Sequence, residues 1–234
     1  MTAPYYEDGL VTLHHGDCRD VLPGLPGARL IVTDPPYAFG LASTAQEGKS
    51  GGWGDLMNNA HYYAMLLREF RRIVANQQGA AWVFNSWRSL PTLARASFES
   101  GWPIESLLVW DKEWIGPGGP RGLRPSYELA ALFAADGFGL TNRSLPDIWR
   151  SKWSGLKPTG HPAEKPTALL QRLIAESGGG TVIDPFAGSG STLVAAKNLG
   201  HRAIGIEVEE RWCEVAAKRL SQETLALAAS TEAP

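Results

Sequence analysis

The sequence lacks the long apolar run that a membrane-spanning helix requires, since no stretch approaches about eighteen consecutive apolar residues. The first residues, Met-Thr-Ala-Pro-Tyr-Tyr-Glu-Asp, also lack a basic leader and an apolar segment, which argues against a secretory signal. We therefore expect a soluble, cytoplasmic protein with no membrane partner.

Cysteine is scarce, with Cys18 and Cys213 the only two in the chain. They lie far apart and belong to no Cys-x-x-Cys or Cys/His cluster, which argues against a disulfide framework and against a structural zinc site. We expect both to be ordinary packing thiols, and we expect no metal.

An excess of charge of one sign is also missing: the 22 Lys and Arg residues oppose 24 Asp and Glu residues, for a formal net charge of −2. The whole chain thus carries no basic signature of nucleic-acid binding, although a local patch can still contact phosphates. Residues 143–165 contain five basic residues against two acidic ones. This stretch is the best candidate for a nucleic-acid face, although such charge runs are also typical of ordinary solvated surface.

Short apolar runs alternate with helical patterns along the 234 residues. The runs predict buried strands at residues 11–15, 29–33, 79–84, 104–110, 127–134, 181–183 and 203–206. Helices are predicted over residues 63–73, 166–175, 191–199 and 209–227. The alternation indicates a single α/β domain (1–234), in which a mostly parallel sheet carries helices on both faces. Ligands of such sheets bind beyond the carboxyl ends of the strands.

Three segments, 38–55, 112–125 and 137–161, fit neither pattern and are predicted to be loops. Loops of this length in a compact domain usually serve binding. The last residues, 228–234, are expected to be disordered.

The motif Asp34-Pro35-Pro36-Tyr37 directly follows a predicted strand. Two prolines hold the turn stiffly and leave carbonyl oxygens free to accept hydrogen bonds. One carboxylate and one carbonyl beside an aromatic ring could hold an exocyclic amine and the charge that develops on it, with Tyr37 stacked on the base. An isolated motif of this kind is equally well explained as a plain turn at the end of a strand.

A second motif, Asp184-Pro-Phe-Ala-Gly-Ser-Gly-Ser-Thr192, connects a predicted strand to a predicted helix. Its glycines allow a ligand to approach the backbone at the helix N-terminus. It lacks the lysine of a P-loop and the third glycine of a dinucleotide fingerprint. Asp184 suits an ammonium better than a phosphate, and Glu207, about twenty residues on, is placed to bind ribose hydroxyls.

These motifs, with His161-Pro-Ala-Glu-Lys-Pro166 between them, stand in the order typical of one family. The sequence resembles the β-class DNA amino-methyltransferases over roughly residues 10 to 220. The resemblance implies a Rossmann-like methyltransferase fold with a circularly permuted motif order, S-adenosylmethionine as cofactor, and double-stranded DNA as substrate. Segment 137–161 becomes the target-recognition insert, which is short for this family. A homodimer and a cognate restriction endonuclease are left open.

The resemblance also implies roles for individual residues. The catalytic residues would be Asp34, Pro35, Pro36 and Tyr37. The cofactor would be bound by Asp17, Cys18, Lys165, Thr167, Asp184, Phe186, Gly188, Ser189, Gly190, Ser191 and Glu207. We predict DNA contacts from Arg143, Arg150, Lys152 and Lys157, with Trp149 and Trp153 anchoring the insert either in the core or on bases.

Within the cofactor set, Lys165 and Thr167 would lie near the methionine carboxylate, and Asp17 would accept from the adenine amino group. From the residues alone, Asp17 is better explained as a helix N-cap before residues 18–22. The alternative for Lys165 and His161 is surface polarity ahead of a helix that starts with Pro166.

The implied reaction is direct methyl transfer to adenine N6 of a flipped-out base. Cytosine N4 offers the same amine, but aspartate rather than serine at position 34 favours adenine by resemblance. Attack on cytosine C5 would need a thiol in a Pro-Cys context, and neither cysteine follows a proline. More distant alternatives are methylation of protein or RNA, where related enzymes usually carry asparagine at position 34, and a DNA-binding module without turnover, which would predict damage to Asp34 or the glycine loop.

Overall fold

The computed structural model describes residues 3–36, 59–116, 120–153, 159–161 and 164–231, with side chains up to residue 222. Within these residues one sheet contains nine strands in the order β1-β2-β9-β8-β3-β4-β6-β5-β7. The strands are β1 (Tyr6–Glu7), β2 (Val11–His15), β3 (Leu30–Thr33), β4 (Ala80–Asn85), β5 (Ser106–Asp111), β6 (Tyr127–Ala134), β7 (Ile148–Arg150), β8 (Val182–Asp184) and β9 (Ala203–Glu207).

Helices cover both faces of this sheet, as the alternation of patterns predicts. They are α1 (Cys18–Val21), α2 (Ala60–Ala75), α3 (Leu90–Ser100), α4 (Thr167–Glu176), α5 (Ser191–Asn198) and α6 (Glu210–Thr231), and a short 3-10 turn, Leu22–Gly24, follows α1. Apolar side chains of α4, α5 and α6 form one core cluster on the sheet, and those of α1, α2 and α3 form a second cluster on the other face.

Pairing directions place most strand ends at one edge. Strand β2 pairs in parallel with β9, β9 with β8, β8 with β3, and β3 with β4. Because β6 is antiparallel to both β4 and β5, strand β5 points in the same direction as β4. Strand β7 pairs in parallel with β5 and so points in that direction too. The carboxyl ends of seven strands, together with the start of β6, therefore meet at one edge of the sheet, which we call the carboxyl edge.

Each predicted strand is present to within about two residues, and so is each predicted helix except two: α2 begins three residues earlier, at Ala60, and α6 ends four residues later, at Thr231. Strand β1 and helix α3 were not predicted. The prediction that segment 137–161 contains no regular element is wrong, because β7 lies within it and pairs with β5. Its central residue, Trp149, is 3% exposed, so the single apolar side chain that faces the core anchors a strand too short to give a periodic signal.

The C-terminal boundary also needs correction. Helix α6 continues to Thr231, into the segment 228–234 that was expected to be disordered, and its Ala- and Leu-rich sequence has high helix propensity. Segment 38–55 and Tyr37 lie outside the described residues. Over the described ranges, the structure holds no helix that is both long and apolar enough to cross a membrane.

Candidate active site and cofactor pocket

A cavity opens at the carboxyl edge, between the ends of β3 and β8 and the start of α5. Several residues from all three sequence motifs line it together: Asp34, His161, Glu164, Lys165, Leu170, Asp184, Phe186, Ala187, Gly188, Ser189, Ser191 and Thr192. The structure thus brings together motifs that are about 150 residues apart in sequence.

Asp184 ends β8 and is 3% exposed. Its Oδ1 accepts hydrogen bonds from Thr33 Oγ1 at 2.8 Å and from the Phe186 backbone N–H at 3.1 Å. Burial raises the pKa of Asp184 to about 6, and the charge of Asp34 adds to this, although hydrogen bonds from Thr192, Thr33 and Phe186 oppose it. A carboxylate so reluctant to ionise gains from a cation beside it.

The glycine loop after β8 leaves little space for a side chain at two positions, both of which have a positive φ. Gly188 has a φ of +50°, and a Cβ there would lie 3.0 Å from His161 Nε2. Gly190 has a φ of +80°, and a Cβ there would lie 3.0 Å from the Cβ of Ala216. The His161 ring is fixed in turn by an edge contact with Trp212, with centroids 4.4 Å apart. The loop therefore exposes bare backbone to the cavity at the N-terminus of α5.

Glu207, at the end of β9, is 8% exposed and shapes this loop from behind. Its two oxygens accept from the backbone N–H groups of Gly188 and Glu209, both at 2.8 Å. Burial raises the pKa of Glu207, against these hydrogen bonds. Its proposed contact with ribose stays a prediction.

Asp17 and Cys18 follow β2, beside Glu207. Asp17 caps α1 by accepting from the Arg19 backbone N–H at 2.8 Å, and it also pairs with the Arg19 guanidinium. The helix-cap interpretation is therefore confirmed. A carboxylate offers about four acceptor positions, so capping does not prevent Asp17 from also contacting the cofactor, and that role stays a prediction. The Cys18 side chain is 2% exposed and packs in the core, and burial raises the pKa of its thiol to about 12. The packing interpretation holds for Cys18, and any cofactor contact would fall to its backbone.

Four charged groups form a chain beside the cavity, which we call the charge chain: Asp34, Lys165, Glu128 and Lys112. The Lys165 ammonium pairs with the Asp34 carboxylate and lies 3.2 Å from Glu128 Oε2, while Lys112 Nζ donates to Glu128 Oε1 at 2.5 Å. With its side chain 7% exposed, Lys165 is not surface polarity, so that alternative is wrong. Its predicted contact with the methionine carboxylate stays untested, although its ammonium here serves two protein carboxylates.

Within the charge chain, Lys165 and Glu128 stabilise each other's charged form. Burial alone would lower the pKa of Lys165, but the charges of Asp34 and Glu128 outweigh it and raise the pKa. Burial would raise the pKa of Glu128, but Lys165 and Lys112 together lower it. Glu128 and Lys112 were not singled out from the sequence; the available signal was a carboxylate at the second position of an otherwise apolar strand.

Arg219 on α6 is a third residue that sequence reasoning missed. Its guanidinium lies 3.1 Å from Ser191 Oγ, 3.1 Å from Thr167 Oγ1 and 3.2 Å from Glu164 Oε1. The two hydroxyls belong to the predicted cofactor set, so this side of the cavity combines a cation with donors suited to a carboxylate.

The predicted DNA-contacting residues separate into two groups. Arg150 and Lys152 are exposed at the carboxyl end of β7, where Arg150 Nε lies 3.7 Å from Asp111 Oδ2. Arg143 is also exposed but precedes β7, in the segment that leaves β6 at the opposite edge of the sheet. The structure therefore does not bring Arg143 to the cavity side, and Lys157 lies outside the described residues.

Both tryptophans of the insert pack onto the domain. Trp149 is buried, and its Nε1 donates to the Pro146 carbonyl at 2.9 Å. Trp153 packs edge-on against Trp114 with centroids 4.4 Å apart. The core alternative is confirmed for Trp149, and Trp153 fastens the strand end to the β5–β6 hairpin.

Comparison with known proteins decides the family. Residues 28–218 match the model of the N6/N4 methyltransferase family, described as DNA methylase. The chain belongs to this family of DNA amino-methyltransferases. Three relatives agree: YubD of Escherichia coli (strain K12), which carries the name of a methylase, is 33% identical over 88% of both chains. The type II methyltransferase M2.DpnII of Streptococcus pneumoniae is 26% identical over 95% of this chain and 94% of its own. The DNA adenine methyltransferase YhdJ of Escherichia coli (strain K12) is 26% identical over 89% of this chain and 82% of its own.

Solved structures agree with the fold of this methyltransferase. The complex of M1.HpyAVI with S-adenosylmethionine superposes with a TM-score of 0.69 at 25% identity, covering 90% of this chain and 99% of that one. The cytosine-N4-specific PvuII methyltransferase superposes with a TM-score of 0.68, and at 19% identity it supports the fold alone. The Rossmann-like α/β fold and S-adenosylmethionine as cofactor, both implied by the sequence motifs, are thereby confirmed.

The residues of the cavity fit this cofactor chemically. S-adenosylmethionine carries an ammonium, a sulfonium and a carboxylate. The cavity offers the buried Asp184, bare backbone at Gly188, and the hydroxyl of Ser191, and Arg219 donates to that hydroxyl and to Thr167 from behind it. A Cβ at Gly188 would crowd His161, which also lines the cavity.

Proposed function

We propose that this methyltransferase methylates the N6 amino group of adenine in a short site of double-stranded DNA, after the base has been flipped out of the duplex. The observation that carries the proposal is Asp34. Its carboxylate stands at the end of β3, on the wall of the cofactor cavity, and Lys165 holds it there as an ion pair.

In the proposed reaction Asp34 accepts a hydrogen bond from the target amine and stabilises the positive charge that grows on its nitrogen. The rigid prolines after Asp34 keep this acceptor in place. S-adenosylmethionine supplies an electrophilic methyl group, which the nitrogen takes with its own electron pair while the S–CH₃ bond breaks and a proton leaves the nitrogen. Positioning of the amine against the methyl group supplies the rest of the rate enhancement.

Adenine is favoured over cytosine by the aspartate at position 34, which in the family is typical of adenine enzymes. The name of the relative YhdJ points the same way. The cytosine-N4 enzyme PvuII shares the fold, and cytosine presents an equivalent amine, so N4-methylcytosine is the alternative product.

We further propose that DNA lies across the carboxyl edge. Exposed cations lie beyond strands β4, β5 and β7 there: Arg88 after β4, Arg121 and Arg124 in the β5–β6 hairpin, and Arg150 and Lys152 at the end of β7. Such cations neutralise phosphates and position the duplex without reading its sequence.

Exposed apolar side chains also stand among these cations, and Trp87 and Leu123 are the most exposed of them. Trp87 is 57% exposed on the turn after β4, next to the strand that carries Asp34, and the Arg88 guanidinium lies 5.2 Å from its ring. Leu123, in the β5–β6 hairpin between Arg121 and Arg124, is fully exposed. An aromatic platform and an apolar wedge are what a base-flipping enzyme uses to stack on bases and fill the gap in the duplex.

The product identifies the reaction. Purified protein is incubated with unmethylated double-stranded DNA and S-adenosylmethionine, and the digested nucleosides are separated and weighed by mass spectrometry. We expect N6-methyladenine with wild type and none with Asp34→Ala. If N4-methylcytosine appears instead, the alternative product is the correct one. If DNA yields no methylated nucleoside while RNA or protein becomes methylated, the proposal is overturned.

A further inference from the structure

We propose that Lys165 and Glu128 are positioning residues for Asp34: Glu128 fixes the Lys165 ammonium, and the ammonium holds the Asp34 carboxylate in its ionised, correctly oriented form. This assignment rests on the proposed role of Asp34 in methyl transfer. It gives the lysine of the His161-to-Pro166 motif a task in catalysis instead of a contact with the cofactor carboxylate.

The first support is the path of the charge chain across the sheet. Asp34 follows β3 and Glu128 lies in β6, and these two strands are separated by β4. The Lys165 ammonium spans that gap, with the ring of Phe84 from β4 at 5.2 Å. The Lys165 side chain, from the segment before α4, therefore contacts both carboxylates while its ammonium lies beside the Phe84 ring. A long cationic side chain suits this geometry.

The second support is the burial of the pair. A buried charge is stable only when it is paired and hydrogen-bonded. An ammonium has three donors and no acceptor, and here two carboxylates share it. Glu128 in turn has Lys112 as a second cation. Removing Glu128 would leave Lys165 with one anionic partner, and removing Lys165 would leave Asp34 without its cation.

The third support is what Asp34 would face without Lys165. Asp184 lies on one side, and the repulsion between these two carboxylates already contributes to the raised pKa of Asp184. On the α2 side stands Tyr63, which is fully buried and feels the charge of Asp34. Neither of these two groups compensates a carboxylate, whereas the Lys165 ammonium does. A protonated Asp34 would be a weaker acceptor and would carry no negative charge to stabilise the positive charge that grows on the amine.

The two possible tasks of Lys165 separate in kinetics. Loss of a contact with the cofactor carboxylate would weaken S-adenosylmethionine binding and leave the pH profile of kcat unchanged. Loss of a cation beside Asp34 would make the acceptor easier to protonate, because an opposite charge within about 4–6 Å shifts a carboxyl group by about 1–3 pH units. The acid limb of kcat would then move upward.

The experiment compares Lys165→Gln, Lys165→Arg and Glu128→Gln with Asp34→Ala, measuring kcat on DNA from pH 5 to 9 and cofactor affinity by calorimetry. We expect Lys165→Gln to bind S-adenosylmethionine within about threefold of wild type but to shift the acid limb upward by about 1–3 pH units. Lys165→Arg should restore the wild-type position of that limb. Glu128→Gln should lower plateau kcat by roughly 10–100-fold, as losses of supporting contacts do, without an upward shift, since it removes a negative charge.

Calorimetry also reports whether each variant folds. If Lys165→Gln does not fold, the double variant Lys165→Gln/Glu128→Gln is tested for the same shift. In that variant the Glu128 carboxylate is also removed, so it is not left buried without the Lys165 ammonium. An unshifted acid limb together with a large loss of cofactor affinity would overturn the inference and return Lys165 to the cofactor. Full activity of Asp34→Ala would instead overturn the proposed function itself.

Discussion

Asp184 makes cofactor binding depend on pH in a way that can be worked out from the structure. It is buried against Thr33 and Phe186, and its pKa is raised to about 6. If the ionised carboxylate binds the cationic end of S-adenosylmethionine, affinity falls as pH drops below 6. At pH 5 about nine-tenths of the free protein carries the proton, which weakens binding about tenfold, or about 1.4 kcal/mol.

The substitution that tests this is Asp184→Asn, which keeps the shape and the acceptor for Thr33 and Phe186 but removes the charge. Titration calorimetry from pH 5 to 8 should show wild-type affinity rising to a plateau above about pH 7. The variant should bind weakly at every pH, with a flatter profile. Glu207, whose pKa is also raised, titrates in the same direction, so Glu207→Gln is the matched control. Equal pH profiles for wild type and Asp184→Asn would refute the reasoning.

The same carboxylate affects folding with a definite sign. Because the folded-state pKa of Asp184 lies above its ordinary value of 3.8, its contribution to stability is complete below pH 3.8 and is lost as pH rises through about 6. The loss amounts to roughly 3 kcal/mol. Denaturant unfolding of the cofactor-free protein should therefore show that the free energy of unfolding of Asp184→Asn rises relative to that of wild type between pH 4 and pH 7. A difference in unfolding free energy that does not change with pH would contradict the burial argument.

Three further predictions concern catalysis, the glycine loop and DNA. Asp34→Ala should lower kcat by about 10²–10³ while cofactor affinity stays nearly unchanged, and calorimetry beside a methylation assay checks both. Gly190→Val should lose cofactor binding, because a side chain at this positive φ would press on Ala216; unchanged affinity would show that the loop can yield. Neutralising Arg150 and Lys152 together should flatten the slope of log affinity against log salt by up to about 2, and a slope equal to that of wild type would remove the end of β7 from the DNA face.

The layered α/β fold could be predicted because buried parallel strands carry continuous apolar runs, and amphipathic helices carry a period of their own. β6, for example, was predicted with its observed bounds, Tyr127–Ala134. β7 escaped prediction because a strand of three residues with one buried side chain is too short to show a hydrophobic periodicity. α3 escaped because its sequence mixes Pro, Thr, Ser and Arg with few apolar residues, and only two of its apolar side chains, Leu93 and Ala96, are buried.

The candidate site was predictable where a motif places its residues directly after a strand, as with Asp34 and Asp184. The charge chain was not, because the contacts of Lys165 with Glu128 depend on which strands are neighbours in the sheet. Arg219 likewise reaches the cavity from α6, and its spacing in the sequence gives no hint of that. Long-range electrostatic contacts follow from topology, which local patterns do not encode.

The most direct test of the central claim is to sequence the DNA of cells that express the protein, using reads that detect modified bases, beside cells that express Asp34→Ala. We predict N6-methyladenine at one recurring short site with wild type and none above background with the variant. Methylation at cytosine N4, or an equal pattern of N6-methyladenine in both cultures, would contradict the account.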